Sequence, residues 1–236
     1  MSDTEPAASL TAVPASASLE ISPSARGRPK PGERRVQILQ ALATMLEQPG
    51  AERVTTAALA ARLAVSEAAL YRHFASKAQM FEGLIEFIEQ SVFSLINQIN
   101  ERSLVDSAQS SAWPTAGARQ APRVVEMLLQ FAEKNPGMAR VMVGDALVFE
   151  HERLQHRMNL FFDKVEAALR QSLRHAADAH GSPTPTVDAQ AQASLLTAFV
   201  MGRLQRFTRS GFKRLPSEHL DACLVFLGVV PASRRF

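Results

Sequence analysis

The sequence predicts an all-α protein: a three-helix N-terminal unit with a helix-turn-helix, followed by a larger helical domain. Three observations carry that prediction. From Glu33 onward apolar residues recur at three- or four-residue steps, and no segment alternates apolar and polar residues as a half-buried strand would. Proline and glycine punctuate the chain at a few places, chiefly Pro49-Gly50, Asn135-Pro136-Gly137 and Gly181-Ser182-Pro183-Thr184-Pro185. Two short helical stretches flank Ala64-Val65 and have the proportions of a helix-turn-helix.

The elements follow in order. Residues 1–25 are rich in Ala, Ser, Pro and Thr and lack periodicity, so residues 1–32 are expected to be a disordered tail ending in a basic arm. Residues 33–77 form the first helical unit. Val36, Leu39, Ala43 and Leu46 mark one face of its first helix, which Pro49-Gly50 should stop. Thr55 or Thr56 caps the second helix, with Leu59, Ala60 and Leu63 inward. Ser66 caps the third, with Ala69 and Leu70 inward and Phe74 closing it. Ser76-x-x-Gln79 has capping-box spacing and opens a long helix, predicted to reach about Arg102, roughly 40 Å.

Residues 78–236 make up the larger domain. Ser103–Ala121 reads as a loop, with helix resuming at Pro122. A break at Asn135-Pro136-Gly137 precedes a long helix predicted over Asp145–Ala177. Two more helices are expected near Asp188–Arg209 and Ser217–Gly228.

Composition narrows the class. With 46% hydrophobic residues among 236, the chain can bury a sizeable core. The single cysteine, Cys223, excludes an intramolecular disulfide framework and a cysteine-based zinc site. No apolar run approaches the ~18 residues of a spanning helix. Asp3 and Glu5 stand where a secretory signal carries Lys or Arg, so a cytoplasmic protein is expected. The net charge of +3 is unevenly spread. Residues 1–25 carry Asp3, Glu5 and Glu20 without a base, whereas Arg26, Arg28, Lys30, Arg34 and Arg35 face only Glu33 in the next ten. Such a block suits an anionic partner, most often nucleic acid, and also suits a solvated linker.

The informative segment is Val54–Lys77, VTTAALAARLAVSEAALYRHFASK. In a helix-turn-helix the first helix braces the DNA backbone and the second enters the major groove. Leu59, Leu63, Val65 and Leu70 would hold the two helices together, leaving Ser66, Glu67 and Ala68 at the groove. Tyr71, Arg72 and His73 lie further along. Lys77 sits where its ammonium and the backbone N–H groups of a helix start can meet a phosphate. The preceding RGRPK, with Arg26 and Arg28, resembles the core of an AT-hook, which lies in a narrow minor groove. A phosphate-binding arm without base preference fits those residues as well.

TTAALAARLAVSEAALYRHFASK resembles the DNA-binding domain of TetR-type regulators. That resemblance implies an all-α homodimer whose two DNA-binding units each read half of a palindrome, with the last two long helices pairing as a four-helix bundle. By position, Thr55, Thr56, Ser66, Tyr71 and Lys77 would contact phosphates, and Glu67, Ala68, Arg72 and His73 would lie at or near bases. The family often has Gly where this chain has Ala64, and an alanine forced to positive φ there would cost about 1 kcal/mol.

SEAALYRHFASKAQMFEGLIEFIEQS, then EKNPGMARVMVGDALVFEHERLQHRMNLFFDKVEAALRQ, are similar to one branch of that family, the nucleoid occlusion factors. With ILQALATMLE the likeness spans roughly 33–175; RFTRSGFKRLP extends it weakly. It implies nucleoid association, binding to chromosomal palindromes, and capture of the C-terminal tail of the tubulin-like division protein FtsZ. A mixed acidic and apolar tail needs an apolar groove with cationic edges. The resemblance places it at Phe87, Lys134 and Asn135, with Met127 and Gln130 nearby. Lys134 stands in place of an Arg and Gln130 in place of a Gly. Phe87 reads equally well as core packing.

Catalysis finds no support: GxSxG, HExxH, GxGxxG and phosphate-loop patterns are missing. His151 and His156 are five apart, as are His175 and His180, which on a helix separates side chains by about 140°. No metal or cofactor is implied. Two rivals to the division-inhibitor reading stay open: a ligand-responsive repressor with an enclosed pocket after Phe81, and a helical adaptor whose DNA-like unit binds protein.

Overall fold

The computed structural model describes residues 32–48, 54–109, 116–179 and 181–230, the side chains of 104–119 and 179 excepted. Among these residues the chain is all α, as its periodicity requires. The tail, its RGRPK arm, Pro49-Gly50 and Trp113-Pro114 lie outside them.

Helix α1 (Glu33–Leu46) buries Ile38, Leu42, Ala43 and Leu46. That face is rotated from the one expected, because α1 packs on two sides. Leu39 turns toward α4, where its Cδ atoms lie near 3.1 Å from the space a Cβ on Gly83 would fill. Helices α2 (Thr56–Arg62) and α3 (Glu67–Tyr71) follow. Helix α4 (Lys77–Gln109) spans about 50 Å at ~1.5 Å per residue.

Helix α4 therefore runs past Arg102, and α5 (Ala116–Lys134) begins before Pro122, so most of the expected Ser103–Ala121 loop is helical. Ser103 explains part of this. Its hydroxyl donates to the Ile99 carbonyl at 2.9 Å, satisfying itself inside the helix. Pro122 lies inside α5 at the cost of one intrahelical bond.

Helix α5 stops before Asn135-Pro136-Gly137 as expected, and the same three residues also start a short helix, α6 (Pro136–Met142), with proline at its first position. Gly144, at φ 83°, separates α6 from a single 3-10 turn at Asp145–Leu147. The long helix expected from Asp145 therefore starts as this separate turn, and α7 (Glu152–Ala179) begins seven residues after Asp145. Helix α8 (Pro185–Arg209) also opens on proline, and α9 (Leu220–Phe226) is a shortened version of the expected last helix.

The body core is built from α4, α5, α7 and α8. Phe81, Phe131, Phe161 and Phe207 are each at most 2% exposed, and Phe161 meets Phe93 edge-on at 5.8 Å. Ion pairs tie α4 to α7: Arg153 to Glu82 at 2.8 Å and Arg157 to Glu89 at 2.6 Å. No helix among the described residues is long and apolar enough to cross a membrane.

One acidic residue in this core opposes its own ionisation. Burial pushes the Glu126 carboxyl of α5 above its ordinary range, and Asp221 adds to the shift against Arg123 and the Gln130 amide. A raised carboxyl favours the fold below the unfolded value and loses that contribution as pH rises through the folded value. Glu126→Gln should therefore raise the unfolding free energy at pH 7 and leave it unchanged at pH 4. Urea melts at both pH values would show it; equal gains at both would mean that charge is not the cause.

Candidate nucleic-acid interface

Local rules assemble the helix-turn-helix. Thr55 is the N-cap of α2, its hydroxyl accepting from Ala58 N–H at 3.1 Å. At the other end Val65 N–H bonds to Ala60 carbonyl at 3.0 Å and Ala64 N–H to Ala61 carbonyl at 3.1 Å. This pair of bonds is a Schellman motif, which requires a left-handed residue at its centre. Ala64 fills that position at φ 52°. A Cβ in this conformation costs about 1–2 kcal/mol, against about 0.4–1 kcal/mol for the extra unfolded freedom of glycine. Ala64→Gly should thus stabilise the protein by up to about 1 kcal/mol, read as a higher urea midpoint. A lower midpoint would mean the turn prefers a side chain.

Ser66 caps α3, accepting from Ala69 N–H at 3.3 Å. Leu70 and Phe74, each 1% exposed, fasten α3 to the core. The capping box at the start of α4 is formed by Ser76, whose Oγ accepts from Gln79 N–H at 3.2 Å, while Gln79 Oε1 reaches one residue further back and accepts from Ala75 N–H at 2.9 Å.

These restraints present one polar face. Thr56 donates to Glu67 Oε2 at 2.6 Å, and Tyr71 Oη lies 3.5 Å from the Thr56 hydroxyl, so α2 and α3 are joined through Thr56, Glu67 and Tyr71. Thr55, Ser66, Glu67, Ala68, Tyr71 and Arg72 are exposed, and His73 is half-buried. A carboxylate such as Glu67 repels phosphate but accepts from the exocyclic amine of cytosine, a base-edge contact. The Thr55 and Ser66 hydroxyls already serve as caps, so any phosphate contact adds to that duty.

Lys77 differs from expectation: its ammonium pairs with the Glu150 carboxylate, on the turn just before α7. Glu150 is nearly buried, with 9% of its side chain exposed, and Lys77 is its counter-charge. Arg26 and Arg28 fall outside the described residues. Arg35, from the same basic run, reaches the unit directly. Its guanidinium donates to the His73 carbonyl at 2.6 Å and covers the Phe74 ring at 4.2 Å. Neither Arg35 nor Glu150 was singled out by sequence reasoning. Arg35 stood inside the basic block, and Glu150 carried no local signal.

The expected peptide groove is only partly at the surface. Lys134 is exposed, Phe87 is half-buried against the core, and Gln130 donates to Glu126 at 3.0 Å. Met127 and Asn135 are 2% and 7% exposed. Met127 lies on the inner face of α5, and the Asn135 amide is spent on the Phe131 carbonyl at 2.8 Å. In this structure both lie beneath the surface on which Lys134, Gln130 and Phe87 are more accessible.

A capped helix-turn-helix on an all-α body is the architecture of a DNA-binding regulator. Residues 38–84 match the model for bacterial regulatory proteins of the tetR family, and 119–229 match a tetracyclin repressor-like C-terminal domain of SlmA-like type. The chain belongs to the TetR family, in its SlmA branch. It is 47% identical to the nucleoid occlusion factor SlmA of Idiomarina loihiensis over 189 residues, 80% of this chain and 90% of that one. It is 49% identical to SlmA of Vibrio cholerae over 191 residues, again 80% and 90% of the two chains. Among solved structures, the fatty acid degradation regulator FadR of Bacillus halodurans superposes with a TM-score of 0.65 at 14% identity, covering 86% of this chain and 99% of that one. FadR of Bacillus subtilis, solved with stearoyl-CoA, gives 0.61 at 14%, covering 81% and 96%. At such identity the two FadR structures speak for the fold alone. The family is one of DNA-binding regulators, not enzymes.

Proposed function

We propose that this protein is a nucleoid occlusion factor: a homodimer that binds chromosomal palindromes and inhibits FtsZ ring assembly over the nucleoid. The observation that carries the reading is a complete helix-turn-helix on a chain nearly half identical to SlmA proteins along about 90% of their length. The dimer is supported by an unpartnered apolar stripe on α8. Val187, Leu195 and Met201 are 66%, 50% and 43% exposed, and nothing lies within 4 Å of the space a Cβ on Gly202 would fill. An exposed apolar surface of this kind suits a two-fold interface. The FtsZ tail is assigned to Phe87, Gln130 and Lys134. Lys134 supplies one point charge where an arginine would supply a bidentate fork.

A ligand-responsive repressor needs space inside its body. Among the described residues, Phe131, Phe161, Phe162 and Phe207 are buried in the body after Phe81, which favours the first reading.

The arm would add phosphate contacts without setting base choice. Deleting residues 1–32 should flatten the salt dependence of duplex binding and keep base preference. Anisotropy titrations at several salt concentrations, on cognate and scrambled duplexes, measure both quantities; lost preference would make the arm a sequence reader.

Crosslinking and sequencing of bound sites across the chromosome tests the function. Many palindromes, depleted around the replication terminus, are expected. A handful at promoters, especially beside its own gene, would make it a conventional repressor.

A further inference from the structure

One surface is used neither by the helix-turn-helix nor by the α8 stripe. An open cleft of about 550 Å³ lies between α6, the turn before α7 and the C-terminal end of α8. Val148 and Phe149 line it and are 65% and 59% exposed. Arg140 and Arg209 line it as well. Two polar lining groups satisfy each other: Thr208, 5% exposed, donates to Asp145 at 3.1 Å.

Positive charge accumulates around Arg209. Residues 203–214, RLQRFTRSGFKR, hold five bases and no acid. Arg203 is tied to the carbonyls of Pro216 and Glu218, but Arg206, Arg209, Lys213 and Arg214 are exposed. Phe212 keeps the loop in place at φ 65°, its ring packed on Phe207 at 5.1 Å and covered by the Arg140 guanidinium at 5.1 Å. The backbone thus holds a basic rim beside two large apolar side chains that solvent would otherwise disfavour.

We propose that this cleft is a peptide-docking site, and that its occupant is an extended segment of another protein bearing carboxylates next to large apolar side chains. Charge complementarity selects the carboxylates, and Val148 and Phe149 select the apolar side chains. A nucleic-acid backbone fits less well. It offers nothing to Phe149 and Val148, which are both exposed. The site shares no residue with the surface assigned above to FtsZ, and the proposal stands whether or not the protein acts in division.

The test uses the full chain, immobilised, and a random twelve-residue peptide library displayed on phage. A parallel selection uses the Phe149→Ser, Arg209→Glu double variant, whose replaced side chains are exposed. The expected result is enrichment of peptides combining Asp or Glu with aromatic or aliphatic residues on the natural protein only. The most enriched peptide, labelled and free in solution, should bind the double variant at least tenfold more weakly. It should bind an Arg72→Ala variant as tightly as the natural protein. Equal enrichment on the double variant, or enriched peptides without acidic residues, would overturn the proposal. So would a smaller dimer fraction in the double variant by sedimentation, which would make this face part of the dimer interface. Displacement of the peptide by a random-sequence duplex from the Arg72→Ala variant would assign the face to DNA instead.

Discussion

Gly137→Ala should destabilise the protein by about 3 kcal/mol, the upper part of the usual range for overpacking. A Cβ on Gly137 would lie 2.0 Å from the Ala43 carbonyl oxygen and 2.9 Å from its carbon. The obstacle is backbone, not the end of a flexible side chain, so α1 and α6 must move apart. The close approach has an electrostatic logic. The carbonyl-rich end of α1 meets the N–H-rich start of α6, and opposite helix ends attract. Glu47, just past α1, takes part: its carboxylate accepts from the Gly137 N–H, although burial, the larger effect, raises its pKa. Because α1 carries the helix-turn-helix and α6 belongs to the body, the substitution should also loosen the DNA-binding unit. For a chain of this size the melting temperature should fall by roughly 6–12 °C. Duplex affinity should fall with it. A Gly137→Ala protein melting within two or so degrees of the natural one would show that the helices accommodate the methyl group.

Removing Glu150 should tighten DNA binding, and removing Lys77 should weaken it. In the present structure Lys77 neutralises Glu150. If the lysine serves phosphate in the complex, the carboxylate competes with DNA for one ammonium. Glu150→Gln relieves that competition and should raise affinity about fivefold per protomer, the equivalent of about 1 kcal/mol. Lys77→Ala should lower affinity and reduce the salt slope by about 0.9 per protomer, or roughly 2 per dimer. Base preference should survive both changes, since phosphate contacts position a protein without reading sequence. Anisotropy titrations from low to high salt separate these outcomes. Two variants with the natural affinity and slope would confine Lys77 to the Glu150 pair.

The parts of the fold that follow local rules were legible in the sequence. Thr55, Ser66 and the Ser76–Gln79 box act through hydrogen bonds three residues apart, and all were readable from residue type and spacing. Ala64 was readable too, because the turn geometry demands one backbone conformation whatever residue fills it. The misses came where a local signal has two meanings. Asn135-Pro136-Gly137 ends α5 as expected and also begins α6, and nothing local announces the second role. Ser103 looks like loop when its carbonyl partner is unknown. Met127 and Asn135 lie on or beside a helix whose inward side is set by α4, α7 and α8 together. Glu150 meets Lys77 across 73 residues, a pairing no spacing rule reaches.

The central claim is that DNA and FtsZ act through one protein. If DNA binding raises the affinity for FtsZ, FtsZ must raise the affinity for DNA by the same factor. The direct measurement is FtsZ polymer mass, by sedimentation with GTP, in the presence of this protein with and without a cognate palindromic duplex. Strong loss of polymer is expected when protein and duplex are both present, and little loss with either alone or with a scrambled duplex. Polymer mass unchanged by the protein–duplex complex would contradict it and leave a TetR-family DNA-binding protein with another partner.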